Sequence, residues 1–188
     1  AFGDIFGSER FDFMHNGILF LGFNTGPFMR MAFGHVVPQD IEWLKSNMDK
    51  YGKEQPVILV THYPIFEGDV DNWYDLTDAV RPYNIRMFIG GHYHVNNNFR
   101  YDGIPGIIMR SNLRDNDGKS GYGIYEVTED SIKVFTRRIG EPEQQWAAFS
   151  LTEQYFDHNG KAEKYPDFSV NEEYTNVKEK WNVQGGAG

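Results

Sequence analysis

Two short apolar runs that each end in histidine constrain this chain more than any other feature. Val57-Ile58-Leu59-Val60 leads into Thr61-His62-Tyr63-Pro64, and Met87-Phe88-Ile89 leads into Gly90-Gly91-His92-Tyr93-His94. Runs this short, apolar and free of charge read as strands buried on both faces. The segment between them, from about residue 71 to residue 83, reads as a helix. Strand, helix, strand is a β-α-β unit, whose crossover makes the two strands parallel. In open α/β sheets, ligands collect just beyond the carboxyl ends of the strands. His62, His92 and His94 all fall there.

The flanks extend this unit. Residues 10–15 alternate apolar and polar, and Asn16-Gly17 turns the chain into a second run over 18–23, a hairpin signal. A glycine-rich loop follows from Asn24 to about Val37. Pro38 then opens a helix with Ile41, Leu44 and Met48 on one face and Gly52 placed to end it. Beyond Val95 the pattern changes to short strands. Residues 98–101 and 104–110 flank Asp102-Gly103, residues 122–127 and 132–138 flank Glu129-Asp130, and 146–151 add one more. This region is expected to be antiparallel and appended to the α/β unit, so that residues 1–155 belong together as part of one domain. Residues 156–188 are polar without sustained periodicity and read as an extended arm or linker. Within it, residues 177–183 faintly resemble the strand that enters a quinoprotein-type β-propeller blade, with an ordinary polar tail as the competing reading.

Charge and composition remove several classes of function. A net charge of −9 with no basic stripe argues against a nucleic-acid partner. The chain has no cysteine, which excludes disulfides and thiolate metal sites without fixing the compartment. An aromatic content of 16% points to a well-packed body. No transmembrane run or signal peptide is visible, although Ala1-Phe2-Gly3 does not look like a native start and upstream sequence is expected.

Imidazole is the commonest neutral ligand of transition metals, so three histidines delivered by neighbouring strand ends point to a metal site. In a loop after Gly90-Gly91, the imidazoles of His92 and His94 can turn toward one point or toward two adjacent ions. The paired glycines are expected to supply the positive φ that such a loop needs. The competing reading is three surface histidines with no common role. Arg110, at the end of an expected strand, is placed to hold a phosphate, with Asn112 beside it. Arg114 reads better as a solvated residue paired with Asp115 and Asp117. His35 is a candidate for lining a substrate cleft, and Asn96 is close enough to His94 to orient it by hydrogen bonding. Tyr63 and Tyr93 are placed to pack over the site. His15 and His158 carry no functional reading.

With these motifs in order, the chain resembles the C-terminal half of the calcineurin-like metallophosphoesterase family. Val60-Thr61-His62-Tyr63-Pro64 and Gly91-His92-Tyr93-His94 are similar to its two C-terminal metal motifs. Gln39-Asp40-Ile41-Glu42-Trp43-Leu44 resembles a helix start often found in the family, and residues 10–22 resemble the hairpin that follows the family's Gly-Asn-His motif. The resemblance covers roughly residues 5–140. It implies part of a four-layer α/β/β/α sandwich with two divalent metal ions at the strand ends (Mn, Fe, Zn or Ni). His62 and His92 would bind one ion and His94 the other. The remaining ligands of the family come from Asp-x-His, Gly-Asp-x-x-Asp and Gly-Asn-His motifs, which this chain lacks. Gly3-Asp4 begins like the second, but Gly7 stands where the second Asp belongs, and Asp4 reads as a turn residue.

The function implied for the intact protein is metal-dependent hydrolysis of a phosphoester, with monoester, diester and nucleotide all open. This fragment is expected to be inactive alone, with a partial or empty site that favours Zn²⁺ or Ni²⁺ over Mn²⁺ or Mg²⁺. A non-catalytic binding or scaffold module with the same fold is the alternative, and a mononuclear three-histidine hydrolase is a third reading. Apolar sheet surface left uncovered is expected to be buried in a homodimer. A periplasmic or secreted location is the expectation for the protein.

Overall fold

The computed structural model describes residues 2–27, 33–66, 68–101, 103–113 and 117–153. The arm over 156–188 with its blade-like segment, His158 and Arg114 lie outside the described residues.

A short helix, α1 (Phe2–Phe6), comes first. Asp4 therefore lies in a first helical turn rather than a β-turn, a position where the helix dipole favours a carboxylate. β1 (Phe11–His15) and β2 (Ile18–Gly22) then pair antiparallel, with His15 opposite Ile18. Asn16 and Gly17 take φ of 47° and 75°, the left-handed pair that matches a two-residue turn to strand twist. α2 (Pro38–Tyr51) buries Leu44 and Met48, and the N–H of Gly52 closes it on the Met48 carbonyl at 3.0 Å. β3 (Val57–Val60), α3 (Trp73–Val80) and β4 (Ile85–Gly90) form the expected β-α-β unit with parallel strands.

The remaining strands correct one expectation. β5 (Asn97–Tyr101) and β6 (Ile104–Ile108) form a hairpin, but β6 inserts between β5 and β4 and runs parallel to β4. All five residues of β6 are buried, as suits a strand inside a sheet rather than in an appendage. The main sheet thus has the order β1-β2-β3-β4-β6-β5. Only β7 (Gly121–Val127), β8 (Ser131–Arg138) and β9 (Gln144–Ser150) make a separate antiparallel sheet.

Alternation along the central strands divides the core in two. Leu19, Leu21, Val57 and Leu59 face α2 and α3, packing on Leu44, Met48, Leu76 and Val80. Their neighbours Ile18, Phe20 and Ile58 face the second sheet, packing with Ile132 and Val134. Burial on both faces is why these strands read as unbroken apolar runs. β4 changes phase once: Val57 is opposite Ile85, but Ile58 is opposite Met87. Arg86 is the extra residue of this bulge, so Ile85 faces the helices while Met87 faces the second sheet. Freed from the ladder, its guanidinium reaches the Glu153 carbonyl at 2.7 Å.

The described residues therefore build three layers, helices on the six-stranded sheet on the three-stranded sheet. They form a mixed α/β architecture consistent with part of the four-layer sandwich. Among them, no helix is long and apolar enough to cross a membrane.

Candidate metal centre

The parallel strands β2, β3, β4 and β6 bring their carboxyl ends to one edge of the sheet. The loop after β3 is fixed there by buried hydroxyls. Thr61 extends the ladder by donating its N–H to the Ile89 carbonyl at 2.8 Å, and its hydroxyl donates to the Tyr63 carbonyl at 2.9 Å. Thr25, fully buried after β2, accepts the Tyr63 N–H at 2.9 Å. Gly34 packs against both. A Cβ there would lie 2.4 Å from the Thr25 carbonyl oxygen and 3.1 Å from the Tyr63 ring, so only glycine fits. Farther along, the Asn72 side chain pairs with the Val36 backbone by two hydrogen bonds, 3.0 and 2.9 Å long.

This loop meets the turn after β4 through a backbone bond from the Gly91 N–H to the His62 carbonyl, 2.9 Å. The His62 and His92 rings lie with centroids 5.6 Å apart at 81°, and Tyr63 stacks on His92 at 3.9 Å and 27°. Two imidazoles bound to one ion at about 2.0–2.1 Å place their ring centres roughly 5–6 Å apart, so the pair fits as two ligands of one ion. A ligating imidazole must be neutral. Partial burial pushes the His62 imidazole below its ordinary range, and repulsion from His92 and then His94 adds to the effect. The ring therefore keeps an open lone pair near neutral pH.

His94 is exposed two residues farther on. Positive φ falls on the histidines themselves, 74° at His92 and 60° at His94, and not on Gly90 or Gly91 as expected from the sequence. Histidine is among the side chains that tolerate this region, at about 1–2 kcal/mol each. Between them, Tyr93 donates its phenol O–H to the Asp69 carboxylate at 2.6 Å. That bond is the main cause holding the Tyr93 phenol up at about 12, with burial second. Among the described residues, no three His, Cys, Asp or Glu side chains are arranged to hold one ion. The mononuclear three-histidine reading therefore finds no support among the described residues.

His94 instead opens onto a cleft of about 360 Å³ that it shares with Asn96, Arg110, Thr136, Arg138 and Trp146. Asn96 donates to the Thr136 hydroxyl at 2.6 Å and accepts the Arg110 N–H at 3.0 Å, so its amide ties β8 to the end of β6 rather than bonding His94. The Arg110 guanidinium is largely buried and donates to the Ser111 and Leu113 carbonyls, both at 3.2 Å. Asn112 is exposed in the loop beyond it. His35 lines a different cleft, with Glu9, Arg10 and Asn24, and its Nδ1 lies 2.7 Å from Asp71. The sequence reading overlooked Thr25, Thr61, Asp69, Thr136 and Arg138. The one local signal was the pair of threonines at the ends of strands, where an apolar run meets a loop.

The family model for calcineurin-like phosphoesterases matches residues 1–96 of the 188. Among the curated proteins, none matches this chain. A dimetal phosphatase from Danio rerio is similar in structure with a TM-score of 0.55 at 12% identity, over 72% of this chain and 59% of that one. A 5'-nucleotidase from Candida albicans is similar with a TM-score of 0.37 at 15% identity, over 89% of this chain and 30% of that one. The chain thus spans under two thirds of the length of either neighbour. At these identities the first likeness speaks for the fold, and the second is too slight to argue from.

Proposed function

The chain belongs to the calcineurin-like phosphoesterase family, and on that premise we propose that it supplies the histidine half of a dimetal centre with which the intact protein hydrolyses phosphoesters. The observation that carries this reading is the His62–His92 pair, two imidazoles at ligand spacing beyond neighbouring parallel strands. In this reading His62 and His92 hold one ion and His94 a second. When bound, two divalent ions activate a water and offset charge on the phosphoryl oxygens. The chain's own residues do the positioning. Tyr63 fixes the face of His92, burial keeps His62 in its neutral form, and the cleft beside His94 receives the ester group along the wall made by Arg110. An imidazole donor set suits Zn²⁺ or Ni²⁺ better than Mg²⁺ or Mn²⁺.

A second reading, a phosphoesterase fold retained for binding, is favoured by one observation. No carboxylate joins the histidines in a metal-holding group among the described residues. Calorimetric titration with Zn²⁺ separates the readings. We expect Zn²⁺ uptake that weakens at least about a hundredfold in His62→Ala and His92→Ala, since each removes a ligand outright. We expect no hydrolysis of p-nitrophenyl phosphate by this chain above the background of the free ion. Zn²⁺ binding indifferent to all three histidines would overturn the metal reading.

A further inference from the structure

Resting on that reading of the histidines, we propose that Asp69 and Tyr93 are positioning residues, a latch that holds the His92–His94 turn in ligand geometry before any metal arrives. The turn carries two consecutive candidate ligands around one residue, and both adopt a left-handed backbone that an L side chain leaves readily when nothing restrains it. Their shared neighbour is the only residue of the three whose side chain points away to an anchor. Tyr93 reaches from the turn to the Asp69 carboxylate, a bond of 2.6 Å. Asp69 is held by contacts outside the turn. It is 7% exposed, its carbonyl accepts the Gly34 N–H at 2.7 Å, and its own N–H is bonded to the Phe66 carbonyl. It also lies on the loop that begins with His62, so one connection carries a histidine at its start and the turn's anchor near its end.

Other contacts restrain different parts of the site. Tyr63 stacks on the His92 ring and sets its plane, and the Tyr93 N–H bond to the Gly91 carbonyl sets the entry to the turn. Neither fixes the residue between the two histidines relative to the β3 loop. A phenol given to a buried carboxylate does so with a directional, charge-assisted bond. Outer partners of this kind orient metal ligands and commonly contribute about 10–100-fold to metal affinity.

The test uses Tyr93→Phe, which keeps the ring and removes the hydroxyl, and Asp69→Asn, which keeps an acceptor oxygen in a similar volume. In metal-free protein, amide hydrogen exchange over residues 90–96 should quicken roughly tenfold in Tyr93→Phe, with α2 and β3 unchanged. Co²⁺ affinity, followed by the visible absorption of the bound ion, should weaken roughly tenfold in the same variant, whereas Asp69→Asn, which leaves the Tyr93 hydroxyl an acceptor, should retain most of both. Unchanged exchange and affinity in Tyr93→Phe, beside a wild type that binds Co²⁺ through its histidines, overturns the latch and leaves the metal reading standing. Faster exchange with unaltered affinity also overturns it, because the bond then serves the fold alone. A wild type that takes up no Co²⁺ overturns the metal reading itself, and the positioning role falls with it.

Discussion

The loop after β3 and the turn after β4 carry histidine to the same edge of the sheet, yet different means hold them. The first is set by buried polar side chains: Thr25, Thr61 and Asn72 satisfy backbone groups at 9% exposure or less, and Gly34 packs against Thr25, Tyr63 and Asp69 without room for a Cβ. The second runs exposed from Tyr93 to Asn98, with two left-handed histidines, and is held by side chains that reach elsewhere. Tyr93 reaches Asp69, and Asn96 bridges Thr136 and Arg110. One candidate histidine is therefore placed by the fold's own packing, and the other two by a few long-range bonds. Stability and ligand geometry should respond separately when each region is altered.

The largest loss of stability is expected in the first region. Thr25→Val keeps the volume but leaves the Tyr63 N–H without its acceptor inside the protein, which should cost about 1–3 kcal/mol in urea denaturation. If it costs nothing, the hydroxyl is not what fixes the β3 loop, and the contrast between the two regions fails. A smaller effect is expected in the second. Asn96→Ala removes two hydrogen bonds at an exposed residue, where water replaces them, so roughly 0.5–1.5 kcal/mol should be lost. A loss equal to that of Thr25→Val would show that the turn is as integral to the fold as the loop.

The finest discrimination comes from two phenol–carboxylate pairs, one in the scaffold and one at the site. Tyr83 donates to Asp49 on α2 at 2.7 Å, and Tyr93 donates to Asp69. Both phenols are pushed up to about 12, but burial is the first cause at Tyr83, whereas the carboxylate bond is the first cause at Tyr93. Asp69→Asn should therefore bring Tyr93 down toward 10 more than Asp49→Asn brings Tyr83, read from phenolate absorbance. The sign for stability follows. Each phenol keeps its proton more tightly in the folded state, so its contribution is whole below pH 10. That contribution is lost as pH rises toward about 12. Equal shifts in the two variants would mean that the bonds to Asp49 and Asp69 play the same part.

Much of the frame was legible because it is written in local signals. Asn16-Gly17 between two apolar runs specifies its turn through the conformations those two residues accept, and Pro38 and Gly52 mark the ends of α2 through their own backbone chemistry. The β3-α3-β4 unit shows in its apolar runs because both faces of its strands are buried. The place of β6 was not legible. A hairpin strand at residues 104–108 looks the same in sequence whether its outer edge meets β4 or solvent. The bulge at Arg86 was equally hidden, since its register is set by what packs on each face of β4.

The sequence by itself determined which side chains could bind a metal and that two strand ends would bring them near each other, because residue chemistry and hydrophobic period are properties of short stretches of chain. It also carried the family, through short motifs in a fixed order. Only the tertiary structure decided that the His62 and His92 rings meet edge to face while His94 lines a cleft with Thr136 and Arg138 of β8. It alone decided that Thr25 and Asp69, each more than twenty residues from the partner it bonds, hold the two loops. The reason is physical. A hydrogen bond between distant residues depends on a few tenths of an ångström and on direction, and those are fixed only after the sheet has closed and both cores have packed.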